Sequence, residues 1–113
     1  MKKFLLNLVL AFSATAISGE AVAVTVMGAR SCGDWLSHKP LGQDKNWSRL
    51  VQEAWLVGYL SGMASGTDRD ALGGSSGSSL FVWMDNYCQA NPLDGIDDGG
   101  SRLFFELLRR KGN

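Results

Sequence analysis

The sequence predicts an all-α protein, a small four-helix domain with one interhelical disulfide, and three observations carry that prediction. Beyond residue 30 the apolar residues recur at helical spacing and nowhere alternate convincingly with period two. Capping residues and prolines punctuate those segments where helices should start and stop. The only two cysteines, Cys32 and Cys88, stand in the first and third of them.

The chain opens with a leader. Lys2 and Lys3 precede an apolar run from Phe4 to Ile17, and Ala21-Val22-Ala23 forms a small-x-small cleavage site. This pattern reads as a signal peptide over residues 1–23 of an exported, bacterial-type protein, with an uncleaved amino-terminal anchor as the alternative. A membrane span needs roughly 20 continuous apolar residues, and Asn7, Ser13, Thr15, Ser18 and Glu20 keep the run shorter. Residues 24–113 then make one domain with a modest core. Removing Lys2, Lys3 and Glu20 leaves nine basic and ten acidic residues, a net charge of −1. A near-neutral chain lacks the electrostatic footprint of nucleic-acid binding.

In an exported chain the two cysteines are expected to pair. Closing so long a loop removes roughly 4 kcal/mol of unfolded-state entropy. Two free thiols or a metal pair are the alternatives, although His38 is the single histidine and makes a poor zinc set with two cysteines.

Four helices follow in order. Ser31 with Asp34 three residues on resembles a capping box, so α1 should run over about 32–38, carrying Trp35 and Leu36 inward and stopping before Pro40. Residues 40–46 are a loop and Asn46 a candidate N-cap for α2, over about 47–64. At 100° per residue Trp47, Val51, Ala54, Trp55, Gly58 and Gly62 share one stripe, which is assigned to the core, opposite Ser48, Arg49, Gln52 and Glu53. Past Ala54 the helix is apolar nearly all round, which predicts a central element covered by its neighbours. Glycine is costly in a helix, so Gly58 and Gly62 predict close approach of another helix or of a tryptophan ring; a membrane dimer motif would require an apolar 20-mer that is absent.

Residues 66–79, rich in Gly, Ser and Asp, read as a flexible loop, with no P-loop lysine beside a strand. Ser78 or Ser79 is the expected cap of α3, over about 79–90, whose inward face holds Leu80, Phe81, Met84, Tyr87 and Cys88. Asn91-Pro92-Leu93-Asp94 predicts an immediate restart into α4, over about 92–110. Ile96, Leu103, Phe104, Leu107 and Leu108 should be buried there, Asp98, Arg102, Glu106 and Arg110 should form an outer charge ladder, and Gly99-Gly100 should fray or kink the first half.

No catalytic chemistry emerges. His38 sits beside Lys39-Pro40 without a nucleophile and an orienting acid, so no triad is predicted and the chain is not expected to be an enzyme. Asp68 with Asp70, and Asp94, Asp97 and Asp98, lack the ladder of a calcium loop and read as helix N-terminal acids, so neither a metal nor a cofactor is expected. Packing around the disulfide accounts for Trp35, Trp47 and Trp55, with Tyr59 and Tyr87 beside them. Trp83, at the edge of its stripe, Leu72 in the loop and Phe105 are the candidate partner surface, facing another protein or a second copy in a homodimer.

Ser31-Cys32-x-Asp34-Trp35-Leu36, Val57-Gly58-Tyr59-Leu60-Ser61-Gly62 and Asp85-Asn86-Tyr87-Cys88-x-x-Asn91-Pro92 resemble the HdeA-like group of small periplasmic proteins, over most of residues 30–110. The resemblance assigns Cys32 and Cys88 to that group's interhelical disulfide, places Gly58 and Tyr59 in its central helix and supplies no catalytic residue. It implies a periplasmic acid-stress chaperone that binds unfolded clients. More distantly it implies an immunity protein that blocks a peptidoglycan amidase delivered by type VI secretion, with a loop such as 72–79 as the plug. The Gly/Ser loop, Gly99-Gly100 and a tail of only Arg109-Arg110-Lys111 depart from the lysine-rich chaperone pattern.

Overall fold

The computed structural model describes residues 24–37 and 47–112. The leader expected at 1–23, His38, the loop expected at 40–46 and the N-cap expected at Asn46 lie outside the described residues. Among those residues the elements are α1 (Cys32–Ser37), α2 (Trp47–Thr67), α3 (Gly77–Ala90) and α4 (Ile96–Arg110), with no strand. None of these helices is long and apolar enough to cross a membrane.

Cys32 and Cys88 are joined, linking the first residue of α1 to the last turn of α3 with Cα atoms 4.9 Å apart. The same end of α1 is held to α4 by backbone. Cys32 N–H donates to Asp94 O (2.8 Å) and Ile96 N–H to Arg30 O (2.9 Å). Ser31 Oγ accepts from Asp34 N–H (3.0 Å), the first half of the predicted capping box. Trp35 is fully buried as expected, whereas Leu36 faces solvent because a helix this short turns only one side to α3.

The central helix is α4, not α2. It packs on both α2 and α3, while α1 packs on α3. Ile96, Leu103, Phe104 and Leu108 form its buried stripe with Leu107 partly buried, and they meet Leu80, Met84, Tyr87 and Cys88 of α3. Gly99 and Gly100 neither fray nor kink it; both lie inside the helix and are buried. A Cβ on Gly99 would stand 2.8 Å from the Tyr87 ring and 2.6 Å from Met84 Sδ, and one on Gly100 would stand 2.9 Å from the Tyr59 ring. These adjacent glycines let one turn of α4 approach two neighbours at once, which offsets their low helix propensity.

The orientation of α2 reverses the expectation. Its buried residues are Arg49, Gln52, Glu53, Leu56 and Leu60, while Trp47 is 67% exposed and Val51 60%. The supposed polar face points inward because Arg49 and Glu53 satisfy one another there (Nε to Oε1, 2.8 Å) and Arg49 Nη2 reaches Asp85 of α3 at 2.9 Å. A buried charge is tolerated when it is paired, and this pair shares a stripe with Leu56 and Leu60. Gly58 and Gly62 are exposed, with nothing within 4 Å of a Cβ built on either. Their expected close contact is therefore absent, and Gly99-Gly100 supply the close approach instead. Gly58→Ala should raise stability by up to about 1 kcal/mol through helix propensity. Gly99→Ala should lower it by about 1–3 kcal/mol through overpacking, and urea melts of the two variants read the opposite signs.

The connections also differ from expectation. α2 continues to Thr67, and the Gly/Ser segment is a chain of turns. Asp70 Oδ1 accepts from Gly73 N–H (3.0 Å), Lys111 Nζ donates to Asp70 O (2.5 Å), and Ala71 is fully buried. α3 begins at Gly77 with Ser76 as its cap, accepting from Ser79 N–H (3.2 Å), rather than with Ser78 or Ser79. Asn91 closes α3 instead of opening α4, its Nδ2 donating to Tyr87 O at 2.9 Å. Residues 91–94 form a turn, and α4 starts at Ile96, where Asp98 Oδ2 accepts from Gly95 N–H (3.0 Å).

Candidate protein-binding groove

On α3, Trp83 and Tyr87 stand one turn apart with ring centroids separated by 5.4 Å and planes within 10° of parallel. On α4, Arg102, Phe105, Glu106 and Arg109 follow the i, i+3, i+4, i+7 spacing of a single helix face. Because α3 and α4 pack together, these two sets form the walls of an open groove of about 550 Å³, with Asn91 at one end. Phe105 is 61% exposed, and its ring meets the fully buried Phe104 edge to face at 5.7 Å, so the exposed ring has a fixed base. A second hollow of about 470 Å³ adjoins it, sharing Arg102 and Phe105 and adding Asp94, Asp98 and Ser101.

The floor of the groove is pinned by Tyr87. Its hydroxyl donates to the Asp94 carboxylate, which ties α3 to the turn before α4. Burial, followed by that hydrogen bond, pushes the Tyr87 hydroxyl up to about 12. Tyr87 thus keeps its proton more firmly folded than unfolded, and stability should fall as pH rises from about 10 to about 12.

The rim carries charge. Glu106 accepts from Arg109 Nη2 (2.7 Å) and from Arg110 Nε (3.1 Å). Of the predicted charge ladder, only this Glu106–Arg110 rung forms an ion pair among the described residues, and Arg102 instead leans over the Tyr87 ring at 6.0 Å. Hydrogen bonds from Arg109 and then Arg110 hold the Glu106 carboxyl down at about 2, below its ordinary 4.5. A depressed carboxylate contributes stability at pH above its unfolded value and loses it as pH falls through the folded one. Glu106→Gln should therefore be destabilising at pH 6, and its deficit should shrink between pH 4.5 and 2 in matched urea melts.

Of the three residues predicted to face a partner, Trp83 and Phe105 are brought together in this groove. Leu72 is not; it is half-buried against the core. Tyr87, expected in the core, is buried and also lines the groove. Trp35 is in the core, donating from Nε1 to Asp85 Oδ1 (2.7 Å). Trp55 is only half-buried, stacked on Tyr59 at 4.9 Å with Nε1 donating to Met27 O, and Tyr59 meets Ser101 through its hydroxyl. Arg102, Arg109 and Asn91 were not anticipated as groove residues. A helical projection of α4 centred on Phe105 would have found the two arginines.

Trp, Tyr and Arg are the side chains that most often anchor protein interfaces. Among the described residues no three His, Cys, Asp or Glu side chains are grouped to hold a metal ion. Comparison with known protein families, with characterised proteins and with solved structures finds no match. The described residues form a small all-α domain with one disulfide and an aromatic groove between its last two helices.

Proposed function

We propose that this is an exported, non-enzymatic protein-binding module of the acid-stress chaperone kind, working in the periplasm after its leader is removed. The observation that carries the reading is the groove lined by half-buried Trp83, by one side of Tyr87 and by exposed Phe105, beside Arg102 and Arg109. Aromatic faces beside arginine stems take up irregular apolar segments without demanding one sequence. Acid adds a trigger. Full protonation of the ten carboxylates in residues 24–113 moves the charge from −1 to +9, and self-repulsion of that size loosens a small domain. The Cys32–Cys88 link confines the loosening by keeping α1 on α3. The test is aggregation of an acid-sensitive client near pH 2.5, followed by light scattering. The protein should suppress it at near-stoichiometric ratio, and Trp83→Ala with Phe105→Ala should lose most of that suppression. Failure of the native protein to suppress would end the chaperone reading.

A second reading, an immunity protein that plugs a peptidoglycan amidase, is favoured by the segment after α2. Asp70, Ala71 and Lys111 hold that segment in fixed turns, and a preformed loop suits tight inhibition. Nanomolar inhibition of an amidase encoded beside it would select this reading over the first.

A further inference from the structure

Three carboxylates line the two hollows that meet at Arg102, and each is taken by another donor. Asp94 accepts from the Tyr87 hydroxyl, Asp98 Oδ2 from Gly95 N–H at 3.0 Å, and Glu106 from Arg109 and Arg110. Arg102 is exposed and, among the described residues, makes no hydrogen bond or ion pair. Its guanidinium lies over the Tyr87 ring, 6.0 Å from the centroid. An arginine presents a planar fork of donors that matches a carboxylate, and a ring beneath it holds the fork in place. Apolar surface stands beside it: Phe105, three residues on, is exposed, and Trp83 lines the same groove from α3. Asn91, at the end of the groove, donates through Nδ2 to Tyr87 O, which leaves its Oδ1 to accept an N–H from outside.

We infer that Arg102 receives the carboxy-terminal carboxylate of a polypeptide whose last side chain, an apolar one, lies against Phe105 and Trp83. Spacing selects a chain end over an internal acid. Residues three apart on a helix stand ~5–6 Å from one another, and a terminal α-carboxylate and its own side chain branch from one carbon, so both reach their places together. In an extended chain the residue beside an internal Asp or Glu points to the opposite side, away from the ring that the carboxylate would accompany. Charge narrows the choice further. Asp94 and Asp98 in the adjoining hollow repel a second negative group, so one carboxylate suits the site and a run of acids does not. The groove, about 550 Å³, is of the size that holds small ligands, which is room for the last residues of a chain. The inference rests on reading this groove as a polypeptide site and names the feature of the chain that it selects.

The test is a resonance titration of the isotope-labelled full chain, purified from the cells that export it, at pH 7. The probes are N-acetyl-Gly-Gly-Phe as the free acid and as its carboxy-terminal amide, followed at the backbone amides of Arg102 and Phe105. The free acid should bind with a Kd on the order of 100 μM and at least ~5-fold more tightly than the amide. Arg102→Gln, at an exposed position, should keep the helical circular dichroism and bring the two forms within ~2-fold of each other. Equal affinities in the native protein overturn the inference, and so does a preference that survives Arg102→Gln. An N-acetyl-Gly-Asp-Phe amide bound as tightly as the free acid would also overturn it, by transferring the site to internal acids. Binding of neither form overturns it as well, whereas the chaperone reading of the groove falls only with the light-scattering test at pH 2.5.

Discussion

Replacing Cys32 and Cys88 together by alanine is expected to remove about 4 kcal/mol of stability. The two residues lie 56 positions apart, so the cross-link excludes most of the unfolded chain's open conformations. Both cysteines are fully buried among Trp35, Met84 and Ile96, so the substitution also takes apolar volume out of the core. Domains of this size hold only about 5–15 kcal/mol in total, so the variant should be near the edge of unfolding at 37 °C. Urea denaturation with and without reductant measures the difference. The reduced native protein should move towards the alanine variant, with a steeper slope because the opened unfolded chain exposes more surface.

Arg49→Ala is expected to cost a comparable 3–5 kcal/mol, roughly the loss seen when one partner of a buried ion pair is removed. The Arg49 guanidinium joins three helices. Nε holds Glu53 Oε1 at 2.8 Å within α2, Nη2 holds Asp85 Oδ1 at 2.9 Å in α3, and Nη1 donates to Trp35 O at 3.1 Å in α1. The same group lies over the Trp35 ring at 4.0 Å. Alanine leaves the Glu53 carboxylate buried without this partner and opens a hole against the indole. Arg49→Met with Glu53→Leu removes both charges at similar volume and should recover most of the loss. Arg49→Lys should not, since an ammonium cannot reproduce the planar fork. A urea series on the three variants separates the ion pair from simple packing.

Much of the architecture was legible because it depends on local signals. Trp35 and Cys32 follow a serine cap, and the i, i+4, i+7, i+8 pattern of Leu80, Met84, Tyr87 and Cys88 admits only one inward face. α4 was equally clear, with Ile96, Leu103, Phe104 and Leu108 opposite its charges. The register of α2 was not, because both of its sides carry apolar residues. What decides between them is an ion pair with Asp85, 36 residues away from Arg49, which no periodicity records. The glycines followed the same logic in reverse. Gly58 and Gly62 suggested close packing and face open space, whereas Gly99-Gly100 suggested weakness and mark a close approach of α4 to both α2 and α3. Trp83 and Phe105 were singled out for exposure alone; their meeting across α3 and α4 is a tertiary fact.

The groove's role is tested most directly by following backbone amide resonances while an acid-unfolded client is added at pH 2.5. The account predicts that the largest shifts cluster at Trp83, Tyr87, Arg102 and Phe105. Saturating client that leaves these resonances in place, or that perturbs only the exposed side of α2, would contradict it.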